Sequence, residues 1–141
     1  MTTLIDIGPA TIEGVKPDFV VVRFKPGSVA DGNAFKVSME ARRKHFSATP
    51  HVVMLVADDD TDFDPKILAK NHYVGQETEP FTLAMALVCR EPTVRNILEL
   101  YFAMHRAAFP VMFFMDEAEA MPWVEEQRTH ARLTTSHPIS K

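Results

Sequence analysis

Four apolar segments at regular spacing constrain the fold of this chain more than any other feature. They are rich in β-branched and aromatic residues and comprise residues 19–24 (FVVVRF), 52–57 (VVMLVA), 81–88 (FTLAMALV) and 111–115 (VMFFM). Three of them are nearly continuous in apolar residues, which is typical of parallel strands covered on both faces. The starts at 52, 81 and 111 lie 29 and 30 residues apart. That spacing predicts strand–helix–strand units with right-handed crossovers.

The segments around these strands supply a hairpin and the helices. Residues 10–15 form a short strand before Pro17 and Asp18, and they are expected to pair with 19–24 as an antiparallel hairpin. Helices are predicted at 31–46, from Asp64 to near Gly75, from Glu91 to before Pro110, and from Asp116 onwards. The sequence therefore predicts an α/β sandwich with a mixed, mostly parallel sheet, an N-terminal hairpin and about four helices.

Composition narrows the class of protein. The chain has 141 residues, of which 46% are hydrophobic and 24% charged, as in an ordinary globular domain. A net charge of −4 argues against general nucleic-acid binding, and a lone Cys89 excludes a disulfide framework. The start of the chain does not resemble a signal peptide, and no apolar run approaches the roughly 20 residues that span a bilayer, so we expect a cytoplasmic protein. We expect one domain over 1–127 and a flexible tail over 128–141.

An acidic run follows the second long strand. Asp58, Asp59, Asp60, Asp62 and Asp64 place five carboxylates within seven residues. Ligands of open parallel sheets bind beyond the carboxyl ends of the strands, where Arg90 and Asp116 should also lie. The run is compatible with a solvated capping loop, with an acidic edge that binds a partner, or with a metal or acid–base site. The residues predicted for a partner-binding edge are Asp58, Asp59, Asp60, Thr61, Asp62, Arg90 and Asp116.

Other reactive residues form no recognisable constellation. Cys89 has a cationic neighbour in Arg90 but no histidine base near it in sequence, and a small buried hydrophobe is the expected role. The six histidines share no metal-ligand spacing. We therefore predict no catalytic residue, no metal site and no cofactor. The basic cluster at residues 42–44 is expected on the solvated outer side of the first helix.

Methionine and phenylalanine are plentiful, at 8 and 10 residues. The strand 81–88 presents small residues, including Ala84 and Ala86, on one face. Such a face accommodates either a closely packed helix or an apolar ligand, and the sequence does not choose between them. If a lipid-like ligand binds, its predicted contacts are Met85, Tyr101, Met104 and Trp123.

The order of elements and the closing segment resemble the SpoIIAA-like proteins of the STAS superfamily. The resemblance covers about residues 10–127 and depends on VVVRF, HVVMLVADDD, the stretch from residue 81 to 114, and MDEAEAMPWV. It implies a bacterial, non-catalytic module that regulates by binding a protein, with homodimerisation possible. The alternatives are a carrier of an apolar or lipid-like ligand and, third, a metal-assisted hydrolase that uses Asp58–Asp60.

The chain departs from that family pattern at two places. Phosphorylated members carry a serine in an Asp-Ser-x-Gly-like turn at the head of the second helix. The matching region here is DTDFD, residues 60–64, in which Thr61 is the only hydroxyl. Pro122 would lie inside the last helix, where an interior proline costs about 3 kcal/mol.

Overall fold

The computed structural model describes residues 3–69 and 78–136. Its strands are β1 (Thr3–Asp6), β2 (Ala10–Lys16), β3 (Phe19–Phe24), β4 (Val29–Ala30), β5 (His51–Val56), β6 (Asp62–Phe63), β7 (Thr82–Val88) and β8 (Val111–Phe114). Its α-helices are α1 (Gly32–Phe46), α2 (Pro92–Met104) and α3 (Glu117–Ser136), and two short 3-10 helices cover Pro65–Ala69 and Glu79–Phe81.

The main sheet has six strands in the order β1-β2-β3-β5-β7-β8. The first three are antiparallel neighbours, whereas β3, β5, β7 and β8 run parallel to one another. The predicted hairpin, the predicted strands and the mixed α/β sheet are thereby confirmed. β1 was not predicted, since its four residues are mostly exposed and carry no apolar alternation.

Helices cover both faces of the sheet. On one face Phe35 and Met39 of α1 and Leu98 of α2 pack against β3, β5 and β7 residues in the larger core. On the other face Ala120 and Val124 of α3 pack on a smaller core. Burial on both faces explains why the central strands are almost wholly apolar.

Side-chain caps begin the three α-helices where the sequence placed them. The Asp31 carboxylate accepts a hydrogen bond from the Ala34 amide, and the Glu91 carboxylate accepts one from Val94, each at 2.9 Å. At α3, the Asp116 carboxylate accepts from the Glu119 amide at 2.7 Å, and the Glu119 carboxylate accepts from the Met115 amide at 2.9 Å. The two hydrogen bonds resemble a capping box, except that Glu119 accepts from the residue before the N-cap Asp116 rather than from Asp116 itself.

The helix predicted from Asp64 to near Gly75 takes a different form in the described part of the chain. Pro65–Ala69 is a 3-10 helix, and residues 70–77 lie outside the described residues. Just before it, β6 pairs with β4 in a separate two-stranded sheet. The described residues therefore contain three α-helices. An Asp followed by Pro, as at Asp64 and Pro65, favours the start of a helix but does not specify how far the helix extends.

The boundary predicted at residue 127 falls inside α3, which continues to Ser136. Arg128 is 6% exposed and its guanidinium contacts Asp18 at 2.7 Å. Residues 128–136 of the predicted tail are helical, and the ion pair of Arg128 with Asp18 connects this segment, which lacks apolar periodicity, to the rest of the chain. α3 also runs through the exposed Pro122 without ending there.

None of the helices in the described ranges is long and apolar enough to span a membrane.

Candidate functional site

A shallow pocket lies at the carboxyl ends of β5, β7 and β8. Its volume is about 190 Å³, and its charged lining includes Asp58, Asp59, Arg90 and Asp116. All four of these residues are exposed. The pocket gathers side chains from three loops because parallel strands end at the same edge of the sheet. We call this site the carboxyl-end pocket.

Backbone hydrogen bonds orient two of the carboxylates in the carboxyl-end pocket. Asp58 Oδ1 accepts from the Asp60 amide at 3.0 Å, which stabilises the turn after β5. Asp116 Oδ1 accepts from the Glu119 amide at the start of α3. Side chains held in this way lose less conformational entropy on binding a partner.

Glu117 also lines the pocket but is already engaged within the chain. Its Oε1 lies 2.6 Å from Arg23 Nη2, and Arg23 Nη1 lies 3.1 Å from Glu13 Oε1. These ion pairs link the start of α3 to β2 and β3. Arg23 is therefore engaged by Glu13 and Glu117, and the arginine in the pocket lining is Arg90.

The other three residues of the predicted partner-binding edge, Asp60, Thr61 and Asp62, do not line the carboxyl-end pocket. The Asp60 carbonyl accepts from the Gly27 amide at 3.0 Å, and Asp62 belongs to β6. Thr61 is 1% exposed, and its hydroxyl donates to the Lys25 carbonyl at 3.2 Å. Thr61, which was included in the predicted partner-binding edge, is therefore buried, because the turn folds inward to pair β6 with β4.

One family model matches the chain. It is the Domain of unknown function (DUF7793), and the match covers residues 15–128. The chain belongs to this family. No curated protein and no solved structure matches it. The match includes every residue of the carboxyl-end pocket.

Two observations on this DUF7793 chain concern metal-binding groups and Cys89. Among residues 3–69 and 78–136, no three His, Cys, Asp or Glu side chains are grouped so that they could hold a metal ion. Cys89 is buried, and burial raises the pKa of its thiol. A thiol with a raised pKa is a poor nucleophile, in agreement with the expected role as a small hydrophobe.

The four predicted apolar-ligand contacts do not converge. Met85 and Tyr101 are buried in the core beneath α1 and α2, while Trp123 packs on the opposite face of the sheet. Met104 is 56% exposed at the end of α2. The small-residue face of β7 is covered by α3, because Ala84 and Ala86 share a core with Ala120. The closely packed helix therefore occupies the space that the carrier hypothesis required.

Sequence reasoning missed two features. Arg42, predicted on the outer side of α1, is 2% exposed and contacts His51 and Thr82 inside the protein. The second feature is a groove of about 480 Å³ between α2 and β8, lined in part by Glu99, Phe102 and Arg106. Glu99 and Phe102 lie three residues apart on α2, the spacing that places two side chains on one stripe of a helix, whereas Arg106 follows the end of α2.

Proposed function

We propose that this protein is a non-catalytic, regulatory STAS-like module of the bacterial cytoplasm that binds a protein partner through the carboxyl-end pocket. The observation that carries the proposal is the gathering of Asp58, Asp59 and Asp116 with Arg90 in one exposed pocket. Three of these four charges are negative, so the pocket favours a partner surface that presents lysine or arginine. Arg90 adds a place for one acidic group of the same partner, which fixes its orientation.

The size of the carboxyl-end pocket favours a protein over a small molecule. Its volume of about 190 Å³ is below the roughly 300–1,000 Å³ of ordinary small-molecule sites. Exposed charges of this kind contribute mainly to the association rate and to the choice of partner.

The STAS-like assignment is supported by the order of the elements. An antiparallel hairpin leads into parallel strands with helices between them, and a final acidic helix start leads into Ala120 and Trp123, which pack on the sheet. The same features carried the resemblance of the sequence to the SpoIIAA-like proteins.

A quantitative affinity capture from the source cells tests the proposed function. The bait carries Asp58→Asn and Asp59→Asn, and the control bait carries Asp62→Asn and Asp64→Asn, which changes the net charge equally outside the pocket. Both sets keep local hydrogen-bond acceptors, so the fold should survive. We expect the control bait to capture at least about ten times as much of the specific partner protein as the pocket variant captures. The effect should be large because several charges of the pocket act together. Equal retention by the two baits, or no specific protein on the wild-type bait, would contradict the proposal.

A further inference from the structure

The outer side of β8 is an open strand edge. The sheet order ends at β8, so no described strand lies beyond it. Towards β7, the Pro110 and Phe114 carbonyls accept hydrogen bonds from the Met85 and Cys89 amides at 2.9 and 3.0 Å. Alternate residues of a strand direct their backbone groups to opposite sides, so Val111 and Phe113 present theirs to the open side.

The sequence of β8, VMFF, contains no charged residue. The opposite edge strand, β1, carries Asp6, whose carboxylate is 2.8 Å from Lys25 Nζ. Edge strands that remain unpaired are usually protected by charges, bulges or prolines. β8 is a short edge of four residues, but it has no charge, bulge or proline within its length, and Met112 is 46% exposed. An edge of this kind favours pairing with another strand.

The groove beside β8 has opposite charges at its two ends. Glu99, Phe102 and Ala103 line its wall from α2, and Arg106 lines it from the segment that follows the end of α2 at Met104. The Phe102 ring lies 6.4 Å from the Phe113 ring, which places the middle of this wall level with the middle of β8. Glu99 lies 3.4 Å from Arg95 on its own helix in an exposed pair, whereas Arg106 is exposed and has no ion pair among the described residues.

This arrangement is complementary to itself. In a twofold dimer with its axis near Phe102, the groove lining at Glu99 of one copy would face the lining at Arg106 of the other. The same axis brings each Phe102 opposite the small Ala103. Interfaces of twofold dimers require this self-complementarity, which an unrelated peptide has no reason to match.

We propose that β8 and the groove beside it form a homodimer interface. The two β8 strands pair antiparallel about an axis at Met112, so that Val111 of one copy and Phe113 of the other exchange backbone hydrogen bonds. The six-stranded sheets join into one sheet, and the α2 helices lie side by side. The carboxyl-end pockets then lie at opposite ends of the joined strands, where both stay accessible to partners.

Charge reversal tests the interface directly. Glu99→Arg and Arg106→Glu each place like charges opposite one another in a homodimer, whereas a mixture of the two variants restores opposite charges. By sedimentation, we expect each variant alone to dimerise about tenfold more weakly than wild type and the equimolar mixture to recover wild-type association. Circular dichroism checks that both variants fold. A monomeric wild type would overturn the proposal, even if that monomer captures an extended peptide of another protein. The proposal would also be overturned if the mixture of the two variants dimerises no more strongly than each variant alone.

Cross-linking provides a second, independent readout. In a Cys89→Ala background, Met112→Cys places two thiols across the proposed axis, and a short thiol-specific cross-linker should join the copies. Leu4→Cys is the matched control, since Leu4 is 65% exposed on the opposite edge strand. Cross-linking of the control alone would assign the dimer to β1 and refute the β8 interface.

Discussion

At the scale of single residues, the unexpected feature is a buried cation beside a buried histidine. Arg42 Nε donates to His51 Nε2 at 3.2 Å, and Arg42 Nη2 donates to the Thr82 hydroxyl at 2.6 Å. The His51 Nδ1 atom lies 3.0 Å from the Thr49 carbonyl, so the neutral ring donates there and accepts from Arg42. The inward stripe of α1, which includes Phe35, Met39 and Arg42, explains why this arginine is inside.

The environment of His51 opposes protonation. Burial, followed by the positive charge of Arg42, lowers the pKa of His51 from 6.5 to about 4. The more distant Asp18 acts in the opposite direction. In the unfolded chain the ring regains its ordinary pKa, so the unfolded state binds more protons between these two values. The contribution of the neutral ring to stability is therefore complete above pH 6.5 and is lost as the pH falls towards about 4.

We predict that His51→Gln removes this pH dependence. Wild type should lose up to about 3 kcal/mol of unfolding free energy through His51 over that pH range, at 1.36 kcal/mol for each unit of pKa difference. The variant should lose less over the same range, even if it is less stable throughout. Urea unfolding at a series of pH values measures both slopes.

Substitution of the exposed His45 by glutamine is the control and should leave the wild-type slope unchanged. Parallel slopes for wild type and His51→Gln would show that other groups cause the acid sensitivity.

At the scale of elements, small side chains form the contact between α3 and the sheet. Ala84 and Ala86 of β7 share the smaller core with Ala120 and Val124 of α3, and all four are fully or almost fully buried. Small side chains on both elements allow the helix axis to lie near the strands. Interiors packed at this density have little room for an additional side chain.

We predict that Ala86→Leu destabilises the protein by about 1–3 kcal/mol, because three additional carbon atoms force α3 away from β7. The matched control is Ala118→Leu, which adds the same atoms at an exposed position of α3. Chemical denaturation of both variants separates overpacking from the change in hydrophobicity. If the two substitutions cost the same, α3 does not pack as closely as described.

At the scale of the whole molecule, the two ends of the parallel strands differ in how their carboxylates are paired. The carboxylates of the carboxyl-end pocket lie at one end, whereas Asp18, before β3, lies at the other. Arg128 and Arg132 of α3 contact Asp18 at 2.7 and 3.5 Å. The basic residues near the end of the chain therefore pair at the far end and leave the carboxyl-end pocket acidic.

We predict that a chain ending at residue 127 is less stable by about 3 kcal/mol or more than a chain ending at Ser136. The shorter chain lacks Arg128, whose side chain is 8% exposed, and leaves the largely buried Asp18 carboxylate without its cation. Thermal unfolding of the two chains under the same conditions measures the difference. Equal stabilities would restore 127 as the end of the domain and assign the ion pair no net contribution.

The sequence alone determined the central architecture of this protein. Continuous β-branched segments, their spacing near 30 residues, and apolar residues at helical spacing are local signals, and they were sufficient to identify the central strands and the three α-helices. The meeting of Asp58, Arg90 and Asp116 at one edge was also predictable, since it follows from parallel strand direction alone. These features require no knowledge of which side chains touch across the fold.

Only the tertiary structure decided the features that depend on contacts between distant segments. The inward turn of Thr61 depends on β4, the burial of Arg42 depends on β5 and β7, and the extension of α3 past residue 127 depends on Asp18. Thr61 and Arg128 belong to no local apolar pattern, and Arg42 continues the stripe of Phe35 and Met39 with a charged side chain, so in each case a hydrogen bond or ion pair to a distant segment is needed to place the polar group inside. Such long-range polar contacts leave no periodic signal in the sequence, which is why the pocket was foreseen and its boundaries were not.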